Sequence, residues 1–400
     1  MTAIAMPVGR ANWGLTALPP LALYIHFPWC VKKCPYCDFN SHAVRGQGGS
    51  GLDPILEAQY IDALLSDLET CLPLVWGRPV TSIFMGGGTP SLFSAQSMDT
   101  LLAGIRARVK LLPDSEVTLE ANPGTFEAAK FAGYREAGIN RLSIGIQSFN
   151  PAHLKALGRI HDDNEARRAV EIAHQHFDNF NLDIMYALPQ QTLAEALSDI
   201  DSAIACAPTH LSAYHLTLEP NTLFYRYPPD LPDDDVAADM QDAIEAHLAQ
   251  AGFEHYETSA FARPGRRARH NLNYWSFGDY LGIGAGAHGK ISFPDKIIRQ
   301  MRYKQPSDYL QKMASGSAVQ TEETVTLEQL PFEFMLNLLR LTEGFDLTLF
   351  TERTGLPITK VVHEVERACA DGLLERQLNH IRPTARGRRF LNALLERFLA

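Results

Sequence analysis

Three cysteines stand within eight residues, Cys30-Val-Lys-Lys-Cys34-Pro-Tyr-Cys37, on a loop directly after the strand-like run LALYIHFP. Thiolates are soft, strongly donating ligands, suited to zinc or to iron–sulfur clusters. Structural zinc takes four protein ligands, usually as two pairs a dozen or more residues apart. No second pair follows here, and the neighbouring alternatives are His26 and His42. A 4Fe–4S cluster on three thiolates leaves one iron open, which is what a small-molecule ligand requires. Cys71, Cys206 and Cys369 are scattered along helical faces and helix ends and read as buried, inert thiols. This is not the even spread of a disulfide framework, and in a cytosolic chain such a cluster means metal.

Other polar residues recur where strand candidates end. Gly86-Gly87-Gly88-Thr89-Pro90 closes the second strand candidate, and glycine lets backbone groups approach a ligand closely. Tyr24 lies on the first strand and Tyr36 in the cysteine loop. Glu120 in LEANPGT, Gln147 in IGIQSF, Arg159 in LGRIH and Asp183 in LDIMYALP follow in order. Carboxylates and amides accept hydrogen bonds from hydroxyl groups, and an arginine suits a carboxylate. Later comes His270-Asn271-Leu272-Asn273-Tyr274-Trp275, just after Arg263-Pro-Gly-Arg266-Arg267-Ala-Arg269. Imidazole is a good metal ligand, and arginine suits carboxylates. Tyr274 and Trp275 add flat aromatic surface beside the histidine. The same letters also fit a hydrogen-bonded structural histidine beside a solvated arginine loop. His288, in GAGAHG, is the alternative ligand.

Strand-like runs alternate with helical spacing over the first 220 residues. LALYIHFP, SIFMGGG, EVTLEANP, RLSIGIQS, LDIMYALP and HLSAYHLTLEP are six strand candidates. Helical patterns at 54–72, 97–109, around 126–137, 164–177 and 192–206 separate them, after a GQGGSG break in the first connection. Six βα units favour a parallel sheet covered by helices, fewer than the eight of a closed barrel. The fold class is therefore α/β, a partial (β/α)6 TIM-like barrel whose later chain must close it differently. Residues 1–20 read as a flexible leader, 21–228 as the barrel and 229–304 as linker, closing elements and the His270 segment. Residues 305–400 read as a small, mainly helical domain.

The 400 residues are 46% hydrophobic and 20% charged, a soluble composition, with no apolar run long enough to span a bilayer. The net charge of −10 argues against nucleic acid as a partner.

C-x₃-C-x-Y-C after a first strand resembles the radical S-adenosylmethionine superfamily. The resemblance implies an oxygen-sensitive 4Fe–4S cluster on Cys30, Cys34 and Cys37, and reductive cleavage of S-adenosylmethionine to a 5′-deoxyadenosyl radical. It places Tyr24, Tyr36, Gly87, Gly88, Thr89, Glu120, Gln147, Arg159 and Asp183 at the cofactor. YIHFPWCVKKCPYCDF, GGGTPS, LEANPGT, RLSIGIQSF and LDIMYALPQQT resemble, more narrowly, the coproporphyrinogen dehydrogenase/HemW branch, over nearly the whole chain. True dehydrogenases of that branch carry a fourth cysteine two residues after the third, where this chain has Phe39, and a longer N-terminal extension. His270, Asn271, Tyr274 and Trp275 match the H-N-x-x-Y-W motif of the HemW group of haem chaperones. What this implies is a cytoplasmic haem-binding chaperone passing haem to acceptor proteins, respiratory haem proteins among them. Peripheral membrane association and homodimerisation stay open. The alternatives are an oxygen-independent coproporphyrinogen III oxidase or another active radical enzyme.

Overall fold

The computed structural model describes residues 13–44, 52–75, 77–124 and 129–399. The GQGGSG break and most of the leader lie outside the described residues, as does the start of the helix expected around 126.

Six parallel strands form in chain order: β1 (Leu21–Phe27), β2 (Val80–Gly87), β3 (Leu111–Ala121), β4 (Arg141–Gln147), β5 (Phe180–Tyr186) and β6 (His210–His215). Each pairs with the next. Between them run α1 (Pro54–Val75), α2 (Ala95–Arg108), α3 (Phe131–Ala137), α4 (Pro151–Ala156), α5 (Asp163–His176) and α6 (Leu193–Ala205). Local chemistry starts these helices where the strands stop. Asp162 with Glu165 and Thr192 with Glu195 form reciprocal capping boxes at α5 and α6.

The strands alternate strictly. Leu142, Ile144 and Ile146 of β4 are fully buried against helices, whereas Arg141, Ser143, Gly145 and Gln147 face the barrel interior. On β5, Leu182 and Ile184 point outward, and Asn181, Asp183 and Met185 point in. The interior of this barrel is thus a polar-walled cavity.

The later chain completes the sheet at both edges. Beyond β6 lies a hairpin, β7 (Glu254–Glu257) and β8 (Ala260–Ala262), with β8 antiparallel to β6. Beyond β1 lies a seventh parallel strand, β9 (Asp279–Ile283), then the antiparallel β10 (His288–Phe293), β11 (Lys296–Arg302) and β12 (Val319–Thr324). The order is β12-β11-β10-β9-β1-β2-β3-β4-β5-β6-β8-β7, an open sheet of twelve strands. Two buried ion clusters lock the edge strands. Asp279 takes Arg78 at 2.8 Å and Lys290 at 3.0 Å. Asp67 of α1 takes Arg302 of β11 at 3.2 Å, with both side chains 0% exposed.

The C-terminal region is helical, as its spacing suggests, but it also carries a small sheet. Phe345–Asp346, Leu374–Gln377 and His380–Pro383 pair around the last of these strands. These strands are two to four residues long, too short for alternation to register. The region has a core of its own, with Phe334, Phe345 and Phe350, and Phe277 and Ile297 of the preceding segment pack into it. No helix among the described residues is long and apolar enough to cross a membrane.

Candidate functional site

The cysteine loop is built by its own ends. Trp29–Cys30 pairs with His42–Ala43 as a short parallel ladder, and the Lys33 ammonium donates to the Phe39 and Ser41 carbonyls. Asn40 donates to the Ala285 and Lys304 carbonyls, tying the loop to the end of β9. A side chain on Gly286 would meet Asn40 at 2.2 Å, and its φ of +81° favours glycine. Gly286 of GAGAHG therefore makes room for the cysteine loop.

Each thiol has a polar neighbour. Thr89 Oγ1 donates to Cys30 Sγ at 3.4 Å and Arg159 Nη1 to Cys34 Sγ at 3.6 Å. Ser41 Oγ lies 3.9 Å from Cys37 Sγ. Burial pushes the Cys30 and Cys37 thiols above their ordinary values, and a metal bound to them would favour the thiolate. Among the described residues no three His, Cys, Asp or Glu side chains are arranged to hold a single metal ion. A 4Fe–4S cube takes its thiolates at separate iron corners, and three soft donors along one wall, with donors behind them, fit it.

That wall belongs to a cavity of about 670 Å³ at the C-terminal ends of the strands, the face where barrel folds bind ligands. Cys30, Cys34, Cys37, Tyr36, Gly87, Gly88, Thr89, Glu120, Gln147, Arg159 and Asp183 all line it. Tyr24 does not. Its hydroxyl donates to His26 Nδ1 at 2.9 Å, because His26 Nε2 must carry its proton toward the Asn40 carbonyl at 2.8 Å. The Tyr24 ring instead stacks on Phe84, which is on the cavity wall.

Glycine is required at the end of β2. A Cβ on Gly88 would sit 2.7 Å from the Phe27 carbonyl oxygen and 2.6 Å from that of Trp29. The Gly88 and Thr89 N–H groups donate to those two carbonyls, and the Gly87 N–H donates to Glu120. With these donors engaged, what the run offers a ligand is carbonyl oxygen, an acceptor for an ammonium group.

Glu120 and Asp183 are buried acids in one cavity. Burial, then the Asp183 charge, pushes Glu120 up to about 8, against the pull of the Gly87 N–H. Burial also raises Asp183, whose carboxylate accepts from Ser143 at 3.1 Å and Asn181 at 2.8 Å. Gln147 takes a left-handed φ of 68° where β4 bulges, a strained conformation of the kind that collects at working sites. Arg159 Nη2 bridges Asn122 Oδ1 and the Gly145 carbonyl, both at 2.8 Å. Asn122, from the same LEANPGT run as Glu120, also donates to Thr89 at 3.0 Å.

Residues 263–275 divide differently from expectation. Helix Arg269–Trp275 packs on β1, β2 and β9. Its first N–H groups, of Arg269 and His270, donate to Glu116 at 3.1 Å each. His270 is 8% exposed, with Nδ1 3.2 Å from Ser82 Oγ and its ring against Phe84. Asn271 lines the cavity. Tyr274 packs on Tyr280, and Trp275 lies beneath Arg340 at 4.4 Å. Three of the four arginines expected to meet propionates are already engaged. Arg263 lies over Phe253, Arg267 pairs with Glu254 and Glu343, and Arg269 pairs with Asp114. Arg266 is exposed. Of the three scattered thiols, Cys71 is buried, but Cys206 and Cys369 are only half-buried, since each sits at a helix end.

Residues 24–203 match the model of the Radical SAM superfamily, and 325–390 match the HemN C-terminal domain. "Heme chaperone HemW" of Escherichia coli is 48% identical, over 96% of this chain and all of its own. The chain belongs to the HemW family. A HemW relative from Mycobacterium tuberculosis is 35% identical over 96% of this chain and 97% of its own length. The solved structure titled coproporphyrinogen III oxidase (HemN) from Escherichia coli superposes with a TM-score of 0.79 at 24% identity. It covers 95% of this chain and 90% of that one, and shows the HemN-like fold that this HemW chain takes.

Missed by sequence reasoning were Asn122, Arg141, Ser143, Asn181, His210 and Ser212, all on the cavity wall. For Ser143, Asn181, His210 and Ser212 the signal was present as polar letters on the alternate positions of RLSIGIQ, FNLDIMY and HLSAYH.

Proposed function

We propose that this chain is a haem chaperone, which binds haem and delivers it to acceptor proteins, respiratory haem proteins among them. The observation that carries the reading is 48% identity to Heme chaperone HemW along essentially both full lengths. Cys30, Cys34 and Cys37 hold a 4Fe–4S cluster, and Gly87, Gly88, Thr89, Glu120, Gln147, Arg159 and Asp183 hold S-adenosylmethionine beside it. Tyr36 contributes to that wall and Tyr24 supports it through Phe84. When bound, the pair supplies one-electron chemistry. Thr89, Ser41 and Arg159 orient the thiolates, and the Glu120 and Asp183 carboxylates accept hydrogen bonds from ligand hydroxyls. An oxygen-sensitive cluster and unpaired thiols suit the reducing cytoplasm.

Haem is held through His270, with Asn271, Tyr274 and Trp275 shaping the segment. Burial, then Arg141, pulls His270 down to about 3, so its imidazole is neutral at any working pH. In the tautomer whose Nδ1 donates to Ser82, Nε2 keeps the lone pair that iron requires. Phe39, 59% exposed, occupies the position where true dehydrogenases carry a further cysteine. His270→Ala is the test. The variant should shift or abolish the Soret band of added haem and leave the iron–sulfur absorbance intact. Haem bound with the wild-type spectrum and affinity would remove His270 from the site and turn attention to His288.

A further inference from the structure

Among the described residues, two of the three buried lysine and arginine side chains are held by carboxylates: Arg302 meets Asp67 and Lys290 meets Asp279. Arg141 differs. It is 2% exposed, lines the cavity, and its Nε has no hydrogen-bond partner. Among the described residues no carboxylate lies within ion-pair distance of it. The acids facing its surroundings are committed elsewhere. Glu116 caps helix Arg269–Trp275, Glu257 accepts from Arg340, and Asp183 accepts from Ser143 and Asn181. Its sheet neighbour Thr118 is 0% exposed, and Thr118 Oγ1 is likewise without a partner. A guanidinium on a cavity wall with no carboxylate of its own is a ready site for an anion.

The position says which ligand. Arg141 opens β4 and Gln147 closes it, so at the usual strand rise they lie roughly 15–20 Å apart. The cysteines and Gln147 stand at the mouth, and a methionine group bound at the cluster has its carboxylate there, beside Arg159. An anion at Arg141 belongs to a second molecule. The same stretch of wall carries Asn271, the one residue of the His270 segment that lines the cavity.

We propose that the cavity floor is a carboxylate subsite centred on Arg141, with Asn271 beside it, that takes a propionate of a bound tetrapyrrole. The identity of the ligand rests on the haem-chaperone reading above. It replaces the Arg263–Arg269 loop as the source of charge, since Arg267 and Arg269 are spent on protein carboxylates and Arg263 lies over Phe253.

The test uses the reconstituted full chain and three probes, namely haem, haem dimethyl ester and S-adenosylmethionine. Wild type should bind haem about 10- to 100-fold more tightly than the ester, the worth of a charge-assisted contact. Arg141→Gln should lose that preference and bind both alike, Arg141→Lys should keep part of it, and S-adenosylmethionine should bind Arg141→Gln as it binds wild type. Equal affinity of wild type for acid and ester overturns the subsite, as does an Arg141→Gln protein that keeps the preference. Loss of S-adenosylmethionine binding with haem unaffected would assign the anion to the methionine carboxylate and also overturn it. If Arg141→Gln does not fold, the wild-type comparison, together with Arg141→Lys, decides. Absence of any haem binding by wild type sinks the chaperone reading itself, and this inference with it.

Discussion

Glu120 should make S-adenosylmethionine binding depend on pH, and Glu120→Gln should remove most of that dependence. In the ligand-free protein, burial and the Asp183 charge push its carboxyl up to about 8. The sign is fixed by linkage. A carboxyl raised from 4.5 to about 8 favours the fold at low pH, and that contribution is lost as pH rises between those values. Ligand hydroxyls donate to the ionised form, and a sulfonium charge nearby favours it further, so binding lowers the value and expels the proton. Affinity therefore rises with pH. If the carboxyl returns to its ordinary range in the complex, the gain from pH 6 to pH 8 is about fifty-fold, roughly 2 kcal/mol. The ligand's own α-amino group titrates in the same window, so the comparison with Glu120→Gln isolates the carboxyl. The Gln side chain can still accept from the Gly87 N–H. Calorimetry in two buffers of different ionisation enthalpy counts the protons released on binding. Near pH 7 wild type should release close to one proton more than Glu120→Gln does. A wild-type affinity with the same pH slope as Glu120→Gln would refute the assignment of this carboxyl to the ligand.

Arg159→Ala should weaken S-adenosylmethionine binding by about 1.5–3 kcal/mol in the same calorimeter, the range for a charge-assisted contact. Its loss also frees Asn122 and the Gly145 carbonyl, so an unchanged affinity would exclude Arg159 from the site. Anaerobic reconstitution should give about four irons per chain with broad absorbance near 400 nm. Cys30→Ala, Cys34→Ala and Cys37→Ala should each lose it, while Cys71→Ala should keep it; stoichiometric zinc without iron uptake would contradict the cluster. Arg302→Leu should destabilise the protein by about 3–5 kcal/mol, because it leaves Asp67 as an uncompensated buried charge. A urea midpoint within error of wild type would show that Tyr309 and the Gly284 N–H, which also donate to Asp67, suffice.

The cofactor wall was legible because its residues sit at strand ends, where a run of apolar letters gives way to Gly, Glu, Gln or Asp. Spacing carried the six βα units for the same reason: helices of 13 to 22 residues such as α6 and α1 give periodicity room to register. Arg141 was hidden by its place at the start of β4, where a charged residue reads as a loop flank rather than a lining group. Asn122 was hidden because its work is to bridge Thr89 and Arg159, which are far away in sequence. FEHYETSAF reads as strand-like and holds β7 and the start of β8, whereas the edge strand β12 is polar and only pairing with β11 makes it a strand. The arginine loop was misread because Glu254, Glu343 and Asp114 come to it from three separate elements.

The most direct test of the haem-chaperone reading is a haem titration of the reconstituted wild-type chain, followed by mixing with an apo-haem protein. A saturable Soret band is expected, and the haem should then pass to the acceptor. No saturable binding, together with conversion of coproporphyrinogen III to protoporphyrinogen IX by the reduced protein, would contradict it.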